Sequence, residues 1–294
     1  MKMQFLSSRS LGKACFRTIA PLFGLLVAAG ASDVSAEVVD APAFSYDQYA
    51  SALEQYVDDQ GMVDYAALKK NRAELDRFIG SMGALNRESY ERWDEQAQIA
   101  FWCNAYNAIT LKRIIDHYPI EKGSWLNALR FPANSIRQIS GVWDSLKTPV
   151  LGKEMTLDAI EHEVLRRQFE EPRIHMVLVC AAMGCPPLRR EPYVGDRLAE
   201  QLDEQSKQFL SNPKKFRIDQ GEDVVYLSPI FDWFGEDFKS GYTPKSGFGN
   251  LGDKERAVLD FASGYVSERE KDYLEAGEYS IEYLEYDWSL NEQK

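Results

Sequence analysis

Arg173-Ile-His-Met-Val-Leu-Val-Cys180-Ala-Ala-Met-Gly-Cys185-Pro-Pro187 is the stretch on which the fold of this chain turns. It brings a run rich in β-branched residues, one of three histidines and two of four cysteines together, and ends in a Gly-Cys-Pro-Pro bend. The run Ile174 to Cys180 predicts a strand buried on both faces. Alternation then puts Ile174, Met176, Leu178 and Cys180 on one side, and His175, Val177 and Val179 on the other. At roughly 3.3 Å per residue, His175 and Cys180 would stand about 16 Å apart and could not pair.

Upstream, Thr156 predicts the N-cap of a helix to about Phe169, with Asp158 in the first turn where the helix dipole favours a carboxylate. Advancing about 100° per residue, Leu157, Ile160, Val164 and Leu165 form an apolar arc, with Glu161 inside it and His162 at its edge. A carboxylate on a buried face is costly unless paired or protonated, so Glu161 needs a compensating partner. Asp94 predicts the cap of an earlier helix running to about Tyr118 and stopped by Pro119. That helix is apolar around much of its circumference, which predicts a central, largely buried position. Asn104 and Asn107 share one of its faces, where burial obliges them to find partners. Anchoring a loop or helix end is preferred to ligand binding for both, and Cys103 between them reads as a small core residue.

The remaining pattern predicts helices over Ala43 to Asp59 and Tyr65 to Met82, packed as an antiparallel pair, and over Val194 to Ser211 and Lys254 to Tyr265. Hairpins are predicted from Thr148 to Leu151 with Glu154 to Met155, and from Phe216 to Ile218 with Val224 to Leu227; Tyr279 to Leu284 predicts a terminal strand. This irregular alternation predicts an α+β fold, one helix-rich domain over residues 37–294 with a small central sheet. Gly247-Phe-Gly-Asn-Leu-Gly252 fits the dinucleotide pattern G-x-G-x-x-G, but no buried strand precedes it, so it reads as part of a flexible loop from Gly235 to Gly252. No cofactor is expected. His117, beside Tyr118-Pro119, reads as a helix C-terminal histidine meeting the dipole.

Lys2, Arg9, Lys13 and Arg17 precede an apolar run, Ile19 to Gly30, and small residues ending at Ala36. This predicts an export signal over residues 1–36, cleaved to leave a protein in the periplasm or secreted, with no membrane insertion. Loss of that segment removes four of the 34 basic and one of the 46 acidic residues, leaving a formal charge of −15. Such acidity disfavours nucleic acid and anionic lipid surfaces and leaves a small molecule or peptide as the expected partner. Cys103, Cys180 and Cys185 then remain, enough for one internal disulfide and one free thiol in an oxidising compartment.

Two chemistries compete at the bend. Cys180 could act as a nucleophile in acyl transfer or amide hydrolysis, with His162 as base, Glu161 orienting it and Asn104 as oxyanion donor. Alternatively Cys180 and Cys185 form a structural disulfide in a non-catalytic binding or scaffold protein, the preferred pairing. The two exclude each other in the resting state unless the pair is redox-active. Zinc held by His162, His175, Cys180 and Cys185 is the weaker third reading, because the predicted strand separates His175 from Cys180.

Phe101-Trp-Cys-Asn-Ala-Tyr-Asn107, Ile160-Glu-His162, Arg173-Ile-His175, Cys180-Ala-Ala-Met-Gly-Cys185-Pro-Pro-Leu188 and Tyr283-Leu-Glu-Tyr-Asp-Trp-Ser-Leu290 together resemble the domain-of-unknown-function family numbered 547. The resemblance implies site positions at Asn104, Asn107, Glu161, His162, His175, Cys180 and Cys185, without naming a reaction. Cys103 departs from the usual aliphatic residue and Ala182 from a frequent serine, which weakens any mechanism needing a hydroxyl at 182.

Overall fold

The structure, a computed structural model, describes residues 44–294; the expected signal over 1–36 lies outside the described residues. Its centre is the helix Glu95–His117, 23 residues long, started by Asp94, whose carboxylate accepts from the Ala97 amide at 2.8 Å. Residues on every side of it are buried from Ile99 to Ile115, as its all-round apolar pattern requires. His117 closes it, its Nδ1 2.8 Å from the Arg113 carbonyl. Asp47–Tyr56 packs on Ala73–Ala84, and against the central helix itself pack Tyr65–Lys70 and Ala73–Ala84. The last two were expected as one helix. The break falls at Asn71, whose amide side chain turns back onto the Ala67 carbonyl, a local bond that competes with helix continuation.

The strands form two small sheets in place of one central sheet. Thr148–Val150 pairs with Lys153–Met155, and Phe216–Asp219 pairs antiparallel with Val224–Leu227, as the turn residues predict. Ser280–Tyr283 then adds in parallel to Val224–Leu227. The helix Leu198–Leu210 is close to its expected bounds, as is Asp253–Ser263. Glu268–Ala276 is an additional helix, announced by a Ser267/Glu270 capping box that sequence reading passed over. The whole is helix-rich α+β.

The expected strand Ile174–Cys180 is not one. Pro172–Met176 form a 3-10 turn and Val177 to Cys180 continue without a partner strand. Burial on both faces is real, from Ile174 to Val179, but a side chain takes the place of the ladder. Asn107 donates to the Val177 carbonyl and accepts from the Val179 amide, each at 2.9 Å. Backbone groups buried in this run are thereby satisfied without a neighbouring strand. The turn also breaks the strict alternation that would put His175 and Cys180 on opposite faces of an extended chain.

Two apolar clusters flank this run: Ile174 and Val177 belong to the one around the central helix. Met176 belongs to the other, with Phe209, Phe231, Phe238 and Phe261.

Candidate functional site

Where the clusters meet, a cleft with about 720 Å³ of empty space opens. Glu161, His162, His175, Cys180 and Cys185 all line it. They come from two short segments, and both are irregular. Thr156 caps its helix as expected, its hydroxyl 3.1 Å from the Ala159 amide. Ala159–Leu165 then widens into a π-helix, with the Arg166 amide bonded to the Glu161 carbonyl five residues back. A widened turn breaks the regular 100° spacing assumed for this segment.

Glu161 is buried, as the wheel implied, and His162 half exposed. They do not form a pair along the helix. His162 Nδ1 lies 2.9 Å from an Arg166 guanidinium nitrogen, and its Nε2 is 4.0 Å from Asp158. Glu161 lies against Tyr106 and Tyr286: burial pushes both phenols well up, and the Glu161 charge adds to it. Burial raises the Asp158 carboxyl too, opposed by His162 and reinforced by Asp144.

The histidine that does hold a carboxylate is His175. Its Nε2 is 2.8 Å from Asp237 and its ring stacks on Phe234 with centroids 4.3 Å apart. Arg166 binds the same carboxylate through two nitrogens, at 2.6 and 2.9 Å. Burial alone would raise Asp237, but the hydrogen bonds from His175 and Arg166 hold it well below the usual carboxylate range.

Cys180 and Cys185 are paired as a disulfide, with Cα atoms 6.2 Å apart. The Cys180 amide points at Cys185 Sγ at 2.9 Å, and the Tyr286 hydroxyl touches both sulfurs, 3.2 Å from Cys180 and 3.1 Å from Cys185. Two features press the bend against Tyr286. A Cβ on Gly184 would sit 2.7 Å from the Tyr286 ring, so only glycine lets the chains approach. Ala181 takes a left-handed φ of 57°, costly for a residue with a Cβ. Lys215 backs the bend, donating to the Met183 and Cys185 carbonyls, and burial pushes its ammonium down to about 8.

Asn104 and Asn107 stand apart from the cleft lining. Asn104 donates to the Tyr193 carbonyl at 2.7 Å and accepts from the Tyr193 amide at 2.9 Å, the counterpart of Asn107 on Val177 and Val179. Cys103, free and buried between them, has its thiol pushed up by burial. Among the described residues no group of three or more His, Cys, Asp or Glu side chains is arranged to hold a metal.

The aromatic walls were missed by sequence reading. Trp143, Trp233, Phe234, Tyr286 and Trp288 line the cleft, together with Arg137. Only the ending Tyr283 to Leu290 had drawn attention, as a motif without a role.

The family model described as protein of unknown function, DUF547, matches residues 90–210. Over that span the chain is similar to this family. No curated protein and no solved structure matches it. The DUF547 span supplies Glu161, His162, His175 and both cysteines, whereas Asp237, Trp233, Phe234, Tyr286 and Trp288 come from beyond it. Among the described residues, no helix is long and apolar enough to cross a membrane.

Proposed function

We propose that the cleft catalyses thiol–disulfide exchange with a small thiol compound or thiol-bearing peptide. One observation carries this reading: Cys185 Sγ receives the Cys180 amide and meets the Tyr286 hydroxyl at the wall of an open aromatic cleft. A disulfide that only staples a short bend has no need of donors for a thiolate, nor of a place where a ligand can reach it. Cys180 is the less buried of the two cysteines and the one to be attacked. The incoming thiolate bonds to Cys180 Sγ, the Cys180–Cys185 bond breaks, and its electron pair goes to Cys185 Sγ, where the amide and phenol donate to the new charge. His162, half exposed on the cleft, accepts the proton of the incoming thiol. Export through residues 1–36 would place the protein in an oxidising compartment, where the paired form rests.

Acyl transfer from reduced Cys180 is the second reading, favoured by two histidines lining the same cleft as that sulfur. The two separate on single variants. Closing the internal disulfide requires both cysteines, so in a cysteine/cystine buffer Cys185→Ser should stop at the mixed disulfide of Cys180 with cysteine and Cys180→Ser should form no internal disulfide, read by mass under acid quench. Acyl transfer requires Cys180 alone, so labelling by thioester probes that survives in Cys185→Ser and vanishes in Cys180→Ser would favour it. A pair that stays oxidised in that buffer until the chain unfolds would leave a binding protein with a structural disulfide. For exchange, Tyr286→Phe should make the potential more negative by about 30 to 60 mV, because a hydrogen bond to a charged group of about 1.5–3 kcal/mol is lost from the reduced form.

A further inference from the structure

Arg137 is the cation of the cleft that has no use in the chemistry above. Its guanidinium carbon lies 4.6 Å from the Phe131 ring centroid, 5.1 Å from Trp288 and 5.2 Å from Trp143. Three rings thus fix a planar cation in the cleft wall. Among the described residues no carboxylate lies within 4.0 Å of that guanidinium, in a chain where Arg72, Arg166, Arg173, Arg189 and Arg190 each hold one. It is partly buried, and burial together with Arg130 pushes its pKa down, so its charge lacks compensation.

Arg137, Trp143 and Asp158 line both the cleft and an adjoining hollow of about 780 Å³ that runs over Asn127 and Ser140 to Asp144. The same cleft that Arg137 lines is also lined by two acidic groups, Asp158 and the buried Glu161, and by the two sulfurs. A purely anionic ligand would meet those carboxylates unfavourably, and a purely cationic one would leave Arg137 unmatched. A ligand carrying both charges satisfies both ends.

We propose that Arg137 is the carboxylate-recognising residue of the cleft, and that its ligand is a zwitterionic, amino-acid-like thiol. The carboxylate meets the ring-held guanidinium and the ammonium faces Asp158 and Glu161. The identity of the ligand as a thiol rests on the exchange reading; the carboxylate site does not. A caged guanidinium offers a planar fork to a carboxylate, which a lysine ammonium reproduces only as a point charge.

Probes that cannot exchange keep the two apart. S-Methyl-L-cysteine and 2-(methylthio)ethylamine differ only in the carboxylate, and binding of each to the whole protein is measured by calorimetry. Wild type should bind S-methyl-L-cysteine roughly tenfold or more tightly than the amine. Arg137→Gln should bring that ratio close to one, and Arg137→Lys should lower it several-fold. Near-ultraviolet circular dichroism of the tryptophans checks the fold, and Arg137→Lys, which keeps the charge in the cage, carries the test if Arg137→Gln unfolds. A wild-type ratio near one, or a ratio that Arg137→Lys and Arg137→Gln leave unchanged, overturns the proposal. Because neither probe has a thiol, these outcomes stand whether the disulfide exchanges or not. Exchange with a carboxylate-free dithiol, conversely, can succeed with no preference at Arg137.

Discussion

Asp237 shows most plainly what one residue decides here. It sits 62 residues from His175 and 71 from Arg166, yet one carboxylate holds both. Sequence reading found both histidines and gave His162 the carboxylate, because Glu161 stood next to it; the pair that forms is His175–Asp237, invisible to proximity along the chain. The consequence is a pH dependence with a definite sign. Asp237 is depressed in the folded state, so its stabilisation is complete above the unfolded-state value near 4 and drains away as pH falls below that, toward the folded value. Asp237→Asn should therefore lose on the order of 2 kcal/mol at pH 7, a figure reduced from that of a fully buried pair because the carboxylate is partly solvated. It should also flatten the acid limb of stability. Urea unfolding from pH 7 to pH 2.5 reads both, and parallel acid limbs for the two proteins would refute the depressed carboxyl.

Among the elements, those legible in the sequence were the ones whose partners lie within a turn. Glu95–His117 has Asp94 at its start and apolar residues on every side, and the Phe216–Asp219 hairpin has its turn residues. The segment Pro172–Cys180 had no such local determinant. Its β-branched content correctly reported burial, and burial was mistaken for a strand because the partner supplying its hydrogen bonds is a side chain on another helix. Likewise Ala159–Leu165 kept its apolar arc while becoming a π-helix, which a wheel of fixed pitch cannot register. Asn107→Ala should test how much this replacement ladder contributes. It leaves the Val177 carbonyl and Val179 amide buried without partners, at about 1–3 kcal/mol each, so a loss of about 3 kcal/mol with the denaturant slope unchanged is expected. Asn107→Asp should fail to recover the Val177 bond, since a carboxylate cannot donate to a carbonyl. A loss below about 1 kcal/mol for the alanine variant would show that water replaces the amide.

Seen across the molecule, the last fifteen residues tie together parts that the order of the chain keeps apart. Ser280–Tyr283 extends the Val224–Leu227 sheet; Tyr286 and Trp288 then wall the cleft. The Gly184 and Met183 amides bond to the Asp287 and Ser289 carbonyls at 2.7 and 2.8 Å. Asn291 finally reaches the first helices: its side chain accepts from the Tyr65 hydroxyl at 2.7 Å and donates to Gly61, and its carbonyl takes the Val63 amide at 2.9 Å. The sequence motif at Tyr283 to Leu290 marked this stretch without revealing that it holds the cysteine bend in place. Such a strap should loosen as a unit. Asn291→Ala leaves the buried Tyr65 hydroxyl without its acceptor and should cost about 2 kcal/mol. Hydrogen exchange would then show amides of Val63, Met183 and Gly184 losing protection by a common factor, although Met183 and Gly184 touch no atom that was removed. Shared loss follows if the strap opens in one cooperative step, and it would carry Tyr286 away from both sulfurs. Loss confined to Gly61–Tyr65 would mean that the cysteine bend is held independently, by Lys215 and the Cys180 amide, and that the strap acts on the site only through its aromatic side chains.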